Sequence, residues 1–300
     1  MDNDYLLRKL EESSGYYQHS FSNRYMNWKR FYSISKSFQE ELKKNKGQAE
    51  SLRVLDTGCG DGWMIYKLKA AFSDEYKLHF TGVDISELDI DFADKRKEYF
   101  SHDDCEFKVM DVDNLSFKDG EFDIIICSEV IEHLKNPEIL IRGLFRVLKK
   151  GGVVILTTPQ KDGSVLAKAV RLANFVSHGL LLSCIKNYEK NIISSKERPL
   201  LRFSSEEGKT GAGEDHCSVH SAGKWKKIFK DGGFIIKSLK GTSGPWFGGP
   251  YLDAHRIVFA LSILMDAIVE RLPFSYLWSE SLLFELRKGS SLIHKHGLYL

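Results

Sequence analysis

Glycines and acidic residues are closely interleaved at positions 56–62, where the sequence reads Asp-Thr-Gly-Cys-Gly-Asp-Gly. The largely apolar run 52–55 directly before them is typical of a short buried strand. Glycine lets the backbone turn sharply, and it lets a ligand approach the main chain without a Cβ in the way. In open α/β sheets, ligands bind beyond the carboxyl ends of the strands. This loop is therefore predicted to hold a ligand.

The spacing and charge of the loop indicate which ligand. A dinucleotide-binding loop has the pattern G-x-G-x-x-G, with the pyrophosphate at the N-terminus of the next helix. Here Gly58, Gly60 and Gly62 recur at every second position instead. The carboxylates of Asp56 and Asp61 would repel a pyrophosphate, but they would suit a ligand that carries an ammonium and a sulfonium. Local electrostatics therefore favour S-adenosylmethionine over a nicotinamide dinucleotide.

Segments typical of strands and helices alternate downstream of position 52. Such alternation indicates βαβ units, hence a mostly parallel sheet with helices on both faces. The predicted strands are Leu52–Asp56, His79–Asp84, Glu106–Asp111, Phe122–Ser128, Val153–Thr157, Phe234–Leu239 and Leu282–Arg287. The predicted helices between them are Trp63–Phe72, a helix capped by Ser86 that runs to Phe100, a helix from Pro137 that stops at Gly151–Gly152, and a helix capped by Ser221.

Residues at the ends of four of these strands resemble the ligand-binding motifs of class I S-adenosylmethionine-dependent methyltransferases. In that family the acid at the position of Asp84 accepts hydrogen bonds from both ribose hydroxyls, and the residue at Asp111 pairs with the adenine amino group. The segment 128–134 would flank the methionine moiety and face the methyl acceptor. The resemblance implies that the cofactor is bound by Asp56, Thr57, Gly58, Cys59, Gly60, Gly62, Asp84, Ile85, Asp111, Val112, Ser128 and Glu129.

The same resemblance implies the architecture of the whole chain. The fold class is α/β, with a seven-stranded, mostly parallel sheet of order 3-2-1-4-5-7-6, strand 7 antiparallel, and helices on both faces. Residues 1–47 would form an N-terminal helical lid. Residues 48–300 would form the Rossmann-like methyltransferase domain, with insertions at about 160–220 and 241–281.

The implied activity is transfer of a methyl group from S-adenosylmethionine to an O, N or C atom of a small or lipid-like metabolite. A non-catalytic S-adenosylmethionine-binding protein is one alternative. A nicotinamide-dependent oxidoreductase is another, although the required third-glycine spacing is absent. A nucleic-acid methyltransferase is disfavoured because the formal net charge is only +2 and no Asn-Pro-Pro-Tyr/Phe tetrapeptide follows the fourth strand.

Two places could supply acid–base or metal chemistry. His133 lies just after the segment predicted to face the acceptor, and an imidazole can accept a proton near neutral pH. It is therefore the candidate catalytic base, although it could instead only structure the turn before Asn136. The run Glu214–His220 could bind a metal, line the acceptor pocket or be a plain loop. We expect no metal.

Composition limits location and partners. The five cysteines are widely spaced without a CxxC pair, which argues against disulfides and a thiolate zinc site. The apolar stretch 257–265 is much shorter than the ~20 residues of a membrane span. We therefore predict a cytoplasmic monomer or homodimer. The helical stretch Ile257–Ile268 is expected to be buried against the core, with a dimer surface or peripheral membrane contact as alternatives.

Overall fold

The computed structural model describes residues 21–45, 51–100, 104–161, 172–173, 175–177, 216–242, 256–271 and 274–289. The helices are α1 (Phe21–Asn45), α2 (Trp63–Phe72), α3 (Glu87–Phe100), α4 (Pro137–Val147), α5 (Ala222–Asp231) and α6 (Arg256–Val269). The strands are β1 (Leu52–Thr57), β2 (Leu78–Asp84), β3 (Cys105–Val109), β4 (Phe122–Ser128), β5 (Leu148–Pro159), β6 (Phe234–Gly241) and β7 (Ser281–Lys288). Short 3-10 helices span Val112–Asn114, Ile131–His133 and Ser275–Trp278.

The seven strands form one sheet of order β3-β2-β1-β4-β5-β7-β6. Strands β1 to β5 are parallel to their neighbours, whereas β7 runs antiparallel to both β5 and β6. The predicted strand order and the antiparallel seventh strand are confirmed. Because β1 to β5 are parallel, their carboxyl ends lie along one edge of the sheet, and the loops that follow them meet there.

Both faces of the sheet are buried, as the continuous apolar run in β4 requires. Ile125 and Cys127 of β4 face a cluster that includes Trp225 and Phe229 of α5. Ile124 and Ile126 point the other way, because successive strand residues alternate between faces. That second cluster contains Ile34, Phe38 and Leu42 of α1 together with residues of α2 and α3. One face of the described N-terminal helix therefore contributes to the core.

Two predicted element boundaries were wrong. Helix α4 ends at Val147, not at Gly151–Gly152, because Leu148 is already extended (φ −74°, ψ 134°) and pairs with Phe122. The run 148–152 belongs instead to a longer β5, which includes a bulge opposite Phe122 and Ile124. The third strand ends at Val109, so Asp111 is not its last residue.

The region predicted as a second insertion, 241–281, contains α6. The described apolar side chains on this helix include Ile257, Leu261 and Leu264, with exposed fractions of 78%, 56% and 59%, so the expectation of burial was wrong for them. The helix instead buries polar contacts: Tyr25 Oη and Lys29 Nζ of α1 bind Asp266 Oδ2 at 2.6 and 3.2 Å.

No described helix is long and apolar enough to cross a membrane. Most of 160–220 lies outside the described residues.

Candidate active site

The loop after β1 is folded by glycine conformations and anchored on β2. Gly58, Gly60 and Gly62 have φ values of +72°, +51° and +75°, which glycine adopts without steric cost. The amides of Gly58 and Cys59 both donate to Val83 O, at 2.7 and 3.0 Å. A Cβ on Gly58 would lie 2.3 Å from Val130 Cγ2. The loop therefore passes directly under the segment that follows β4, and position 58 has no room for a side chain.

Asp84 joins the end of β2 to this loop. Its Oδ2 accepts a hydrogen bond from the Gly60 amide at 2.8 Å, and its Oδ1 accepts one from the Ser86 amide at 2.9 Å. Each carboxylate oxygen can accept a second hydrogen bond, so a ligand hydroxyl can still be bound. Ile85 beside it is 71% exposed, and it offers an apolar surface at the rim of the site.

Asp61 is neutralised by an arginine that sequence analysis did not find. Arg96 of α3 donates to Asp61 O at 2.6 Å and forms an ion pair with Asp61 Oδ2 at 3.2 Å, while its side chain is only 4% exposed. Its guanidinium also lies 5.6 Å from the centre of the Tyr66 ring. The carboxylate of Asp61 therefore helps to hold the loop in place. Its negative charge, which was expected to favour a cationic ligand, is already balanced by Arg96. No local motif marks Arg96, which lies 35 residues further along the chain.

Asp56 is a buried acid at the end of β1. It is 2% exposed, and its Oδ2 has no hydrogen-bond partner. Burial, together with the nearby charge of Asp84, raises the pKa of Asp56 to about 8. Its neighbour Thr57 is buried and donates to Ile126 O at 3.0 Å, which fixes the end of β1 to β4. A buried carboxyl beside a second carboxylate suits a ligand with a positive charge.

The raised pKa of Asp56 predicts how stability depends on pH. Between about pH 4, where the unfolded-state carboxyl titrates, and pH 8, the folded state holds a proton that the unfolded state has lost. The contribution of Asp56 to the free energy of unfolding is thus fully present below about pH 4, and it is lost as the pH rises from about 4 to about 8. Asp56→Asn should remove up to about 1.4 kcal/mol per pH unit of this slope. Urea unfolding of both proteins at pH 5, 7 and 9 measures the difference, and identical slopes would contradict the prediction.

Asp111 and Val112 follow β3. The Asp111 side chain is exposed and caps the 3-10 helix Val112–Asn114 by accepting a hydrogen bond from the Asp113 amide at 2.9 Å. Val112 is 9% exposed and packs in the core. The Met110 amide donates to Asp84 O at 2.8 Å, so the start of this turn is tied to the acid at the end of β2.

Glu129 connects three parts of the molecule at the end of β4. It has a φ of +56°, a strained value for a residue other than glycine, and such strain is concentrated at functional sites. Its carboxylate binds Arg30 of α1 at 3.1 Å and accepts a hydrogen bond from Ser281 Oγ of β7 at 3.2 Å. Neither partner of Glu129 is marked by a sequence motif. Ser128 Oγ lies 3.0 Å from Thr157 Oγ1, and this contact ties the end of β4 to β5.

Beyond Glu129, the turn carries Glu132 and His133. Glu132 is 1% exposed and accepts a hydrogen bond from Thr158 Oγ1 at 3.3 Å. Burial and the charge of Glu129 raise the pKa of Glu132. The rings of His133 and His216 lie edge to face with centroids 4.8 Å apart. His216 belongs to the run 214–220 singled out in the sequence, whereas Glu214 and Asp215 of that run lie outside the described residues.

The structure therefore brings most of the predicted site residues together at one edge of the sheet. Hydrogen bonds connect the glycine loop with Asp84, and the Gly58–Val130 contact connects it with the segment after β4. The Cys59 thiol is buried, which raises its pKa and leaves it poorly suited to thiolate chemistry.

Strand order and the glycine loop at the end of β1 define the fold of class I S-adenosylmethionine-dependent methyltransferases. A family model described as a methyltransferase domain matches residues 26–239, and the chain belongs to this family. Among solved structures, the [4+2]-cyclase SpnF is similar, with a TM-score of 0.50 and 16% identity over 79% of this chain and 74% of that one. This likeness shows the fold alone.

Curated relatives align with about half of this chain. The ubiquinone biosynthesis O-methyltransferase of Bordetella avium is 28% identical over 138 residues, which are 46% of this chain and 55% of the relative. The phosphoethanolamine N-methyltransferase 1 of Arabidopsis thaliana is 32% identical over 123 residues, 41% of this chain and 23% of the relative. The malonyl-[acyl-carrier protein] O-methyltransferase of Bacillus cereus is 26% identical over 145 residues, 47% of this chain and 51% of the relative. The chain thus spans about half or less of their length.

Proposed function

We propose that the chain is a methyltransferase that uses S-adenosylmethionine to methylate a small or lipid-like molecule. The observation that carries the proposal is the arrangement at the ends of β1 and β2. There a glycine loop is anchored by Asp84, beside a buried Asp56 whose Oδ2 has no partner. Family membership and relatives named as O- and N-methyltransferases of small molecules support it.

The residues present fit this cofactor. Asp84 has acceptor capacity left for the ribose hydroxyls, and Asp56 offers the unpartnered Oδ2 of a buried carboxyl, which would bind the amino group of the methionine moiety and lose its proton when that cation is present. We assign the adenine to the surface formed by Ile85, Asp111 and Val112, and the methionine moiety to Ser128 and Glu129. Main-chain atoms of Thr57, Cys59 and the three loop glycines complete the set. When bound, the cofactor supplies an electrophilic methyl group.

The protein's own contribution is then to hold the acceptor atom in line with the methyl group and to exclude water. Positioning of this kind lowers barriers by about 7–11 kcal/mol in favourable cases. The turn 131–133 follows Glu129 closely in the chain, and His216 contacts His133 of that turn, so we place the acceptor on that side of the site. O-methylation requires removal of a hydroxyl proton, and His133 is the candidate base for it.

His133→Ala tests this role. If His133 accepts the acceptor's proton, turnover should fall about 10²–10⁴-fold, because general-base catalysis contributes that much. Affinity for S-adenosylhomocysteine should stay within about threefold of the wild-type value, since the cofactor is assigned to other residues. Single-turnover assays and calorimetry measure the two quantities. An unchanged rate would remove His133 from the mechanism.

Calorimetry with S-adenosylhomocysteine tests the proposed function itself. We expect saturable binding at one site and no binding of NAD under the same conditions. A protein that binds neither ligand while remaining folded would overturn the proposal. Because the similar cyclase structure shows that this fold also carries other chemistry, transfer of labelled methyl groups to O-, N- and C-acceptors must be assayed as well. Binding without transfer to any acceptor would favour a non-catalytic role.

A further inference from the structure

Three side chains that can bind metals meet beside the turn after β4. Glu132, His133 and His216 each offer one ligand atom, and these atoms lie within 4.8 Å of one another. Two of the residues come from the 3-10 helix Ile131–His133, and the third precedes α5. Ser218 holds the two segments together, because its amide donates to Glu132 O at 2.8 Å and its Oγ donates to Leu134 O at 2.7 Å.

The environment of Glu132 is a second, independent indication of a cation. Its side chain is almost completely buried, and Oε2 accepts a hydrogen bond from Thr158, but Oε1 has no hydrogen-bond partner. The nearby acid Glu129 differs, because Arg30 and Ser281 bind its carboxylate. A buried carboxyl group is normally protonated, paired or bound to a metal, and a cation beside the unpartnered oxygen would stabilise its ionised form.

The types of ligand narrow the choice of ion. Two imidazoles and one carboxylate are the ligand set of many three-residue zinc sites, whereas Mg²⁺ prefers oxygen ligands. Bonds of about 2.0–2.2 Å place ligand atoms roughly 3.3 Å apart in a tetrahedral site. Side-chain rotations that draw the three atoms together by up to roughly 1.5 Å would therefore suffice. From this geometry we propose that Glu132, His133 and His216 bind one divalent transition-metal ion, Zn²⁺ or its analogues.

Three protein ligands leave one coordination position open. Because the site lies on the acceptor side, an oxygen of the methyl acceptor would occupy this open coordination position. The acceptor would then be a molecule with a hydroxyl or carboxylate group. This role rests on the proposed methyl transfer, whereas ion binding does not. A metal-bound nitrogen of His133 cannot also accept a proton, so a bound ion and a His133 base are alternative explanations of how the acceptor is activated.

Cobalt titration of tag-free, chelator-treated protein tests the site, because Co²⁺ replaces Zn²⁺ and absorbs visible light. We expect one equivalent to bind with the absorption of a four- or five-coordinate ion, and Zn²⁺ to displace it. His133→Ala and His216→Ala should each weaken binding by more than ~100-fold, since loss of an outer-shell partner alone costs 10–100-fold. His79→Ala is the matched control, because His79 is exposed and lies near the amino end of β2, away from the site.

Absence of saturable Co²⁺ binding would overturn the proposal, as would a His216→Ala variant that binds like the wild type. His216 lies outside the helices and strands, so its variant should fold even where His133→Ala does not, and circular dichroism verifies this. The titration contains neither S-adenosylmethionine nor an acceptor. Failure of the metal site therefore leaves the methyltransferase assignment standing, and failure to bind S-adenosylhomocysteine leaves the metal result standing.

Discussion

Gly58→Ala is expected to abolish detectable binding of S-adenosylhomocysteine. The new methyl group would lie 2.3 Å from Val130 Cγ2, on a residue whose φ is +72°. A strained backbone and an overpacked side chain each cost about 1–3 kcal/mol, so the folded state should lose roughly 2–6 kcal/mol. The loop can relieve the clash only by moving away from Val130. That movement would disrupt the hydrogen bonds from the Gly58 and Cys59 amides to Val83 O, which anchor the loop to β2. Calorimetry and urea unfolding measure both effects.

Gly151→Ala is the matched control. Gly151 has a φ of +79°, but a Cβ there would meet nothing within 4 Å, and it lies near the amino end of β5. Its variant carries the backbone strain without the clash, and it should bind S-adenosylhomocysteine normally. Adding Val130→Ala to Gly58→Ala should restore part of the lost stability, because the clashing methyl groups are removed. Equal binding by the two glycine variants would refute the structural account of position 58.

Asp84→Ala is expected to weaken binding of S-adenosylhomocysteine by at least ~100-fold. Hydrogen bonds to a charged group contribute about 1.5–3 kcal/mol each, and the carboxylate is assigned to two ribose hydroxyls. The substitution also releases the amides of Gly60 and Ser86, so the glycine loop loses an anchor. Asp91→Ala removes an exposed acid of α3 that pairs with Lys95, and it serves as the control with little expected effect.

A second readout separates the charge of Asp84 from its hydrogen bonds. Because the charge of Asp84 helps to raise the pKa of Asp56, Asp84→Asn should lower the pKa of Asp56 below about 8. The pH at which stability declines should shift downward in the same direction. An Asp84→Asn variant that binds the ligand within threefold of the wild type, with an unchanged pH profile, would show that this carboxylate has neither role.

The parts of the fold that were predicted correctly depend on local sequence. Strand β4 has a continuous apolar run and β1 a largely apolar one, and the glycine loop and Ser86 cap follow directly from residue type. The end of α4 was misplaced because its boundary depends on pairing between Leu148 and Phe122, which no local pattern reveals. Burial was overestimated for the described apolar side chains of α6, because its polar contacts with α1 turn Asp266 inward.

The parts of the site that were missed all depend on side chains far apart in the chain. Arg96 reaches Asp61 across 35 residues, Arg30 reaches Glu129 across 99, and Ser281 reaches Glu129 across 152. The sequence indicates that such charges exist, but their pairing is set by packing of α1, α3 and β7 on the sheet. For the same reason the sequence indicated His133 and the run Glu214–His220 only separately, and the contact between His133 and His216 is visible only in the structure.

The contacts of Glu129 make the first described helix and the last strand responsive to whatever binds at the edge of the sheet. Arg30 and Ser281 both bind the carboxylate of Glu129. A cationic ligand that binds the same carboxylate must therefore compete with Arg30. The two effects are reciprocal: if the ligand changes the equilibrium for docking of α1 by some factor, docking of α1 changes the affinity for the ligand by the same factor. Hydrogen exchange of α1 amides would thus report whether the site is occupied, although α1 supplies none of the assigned cofactor ligands.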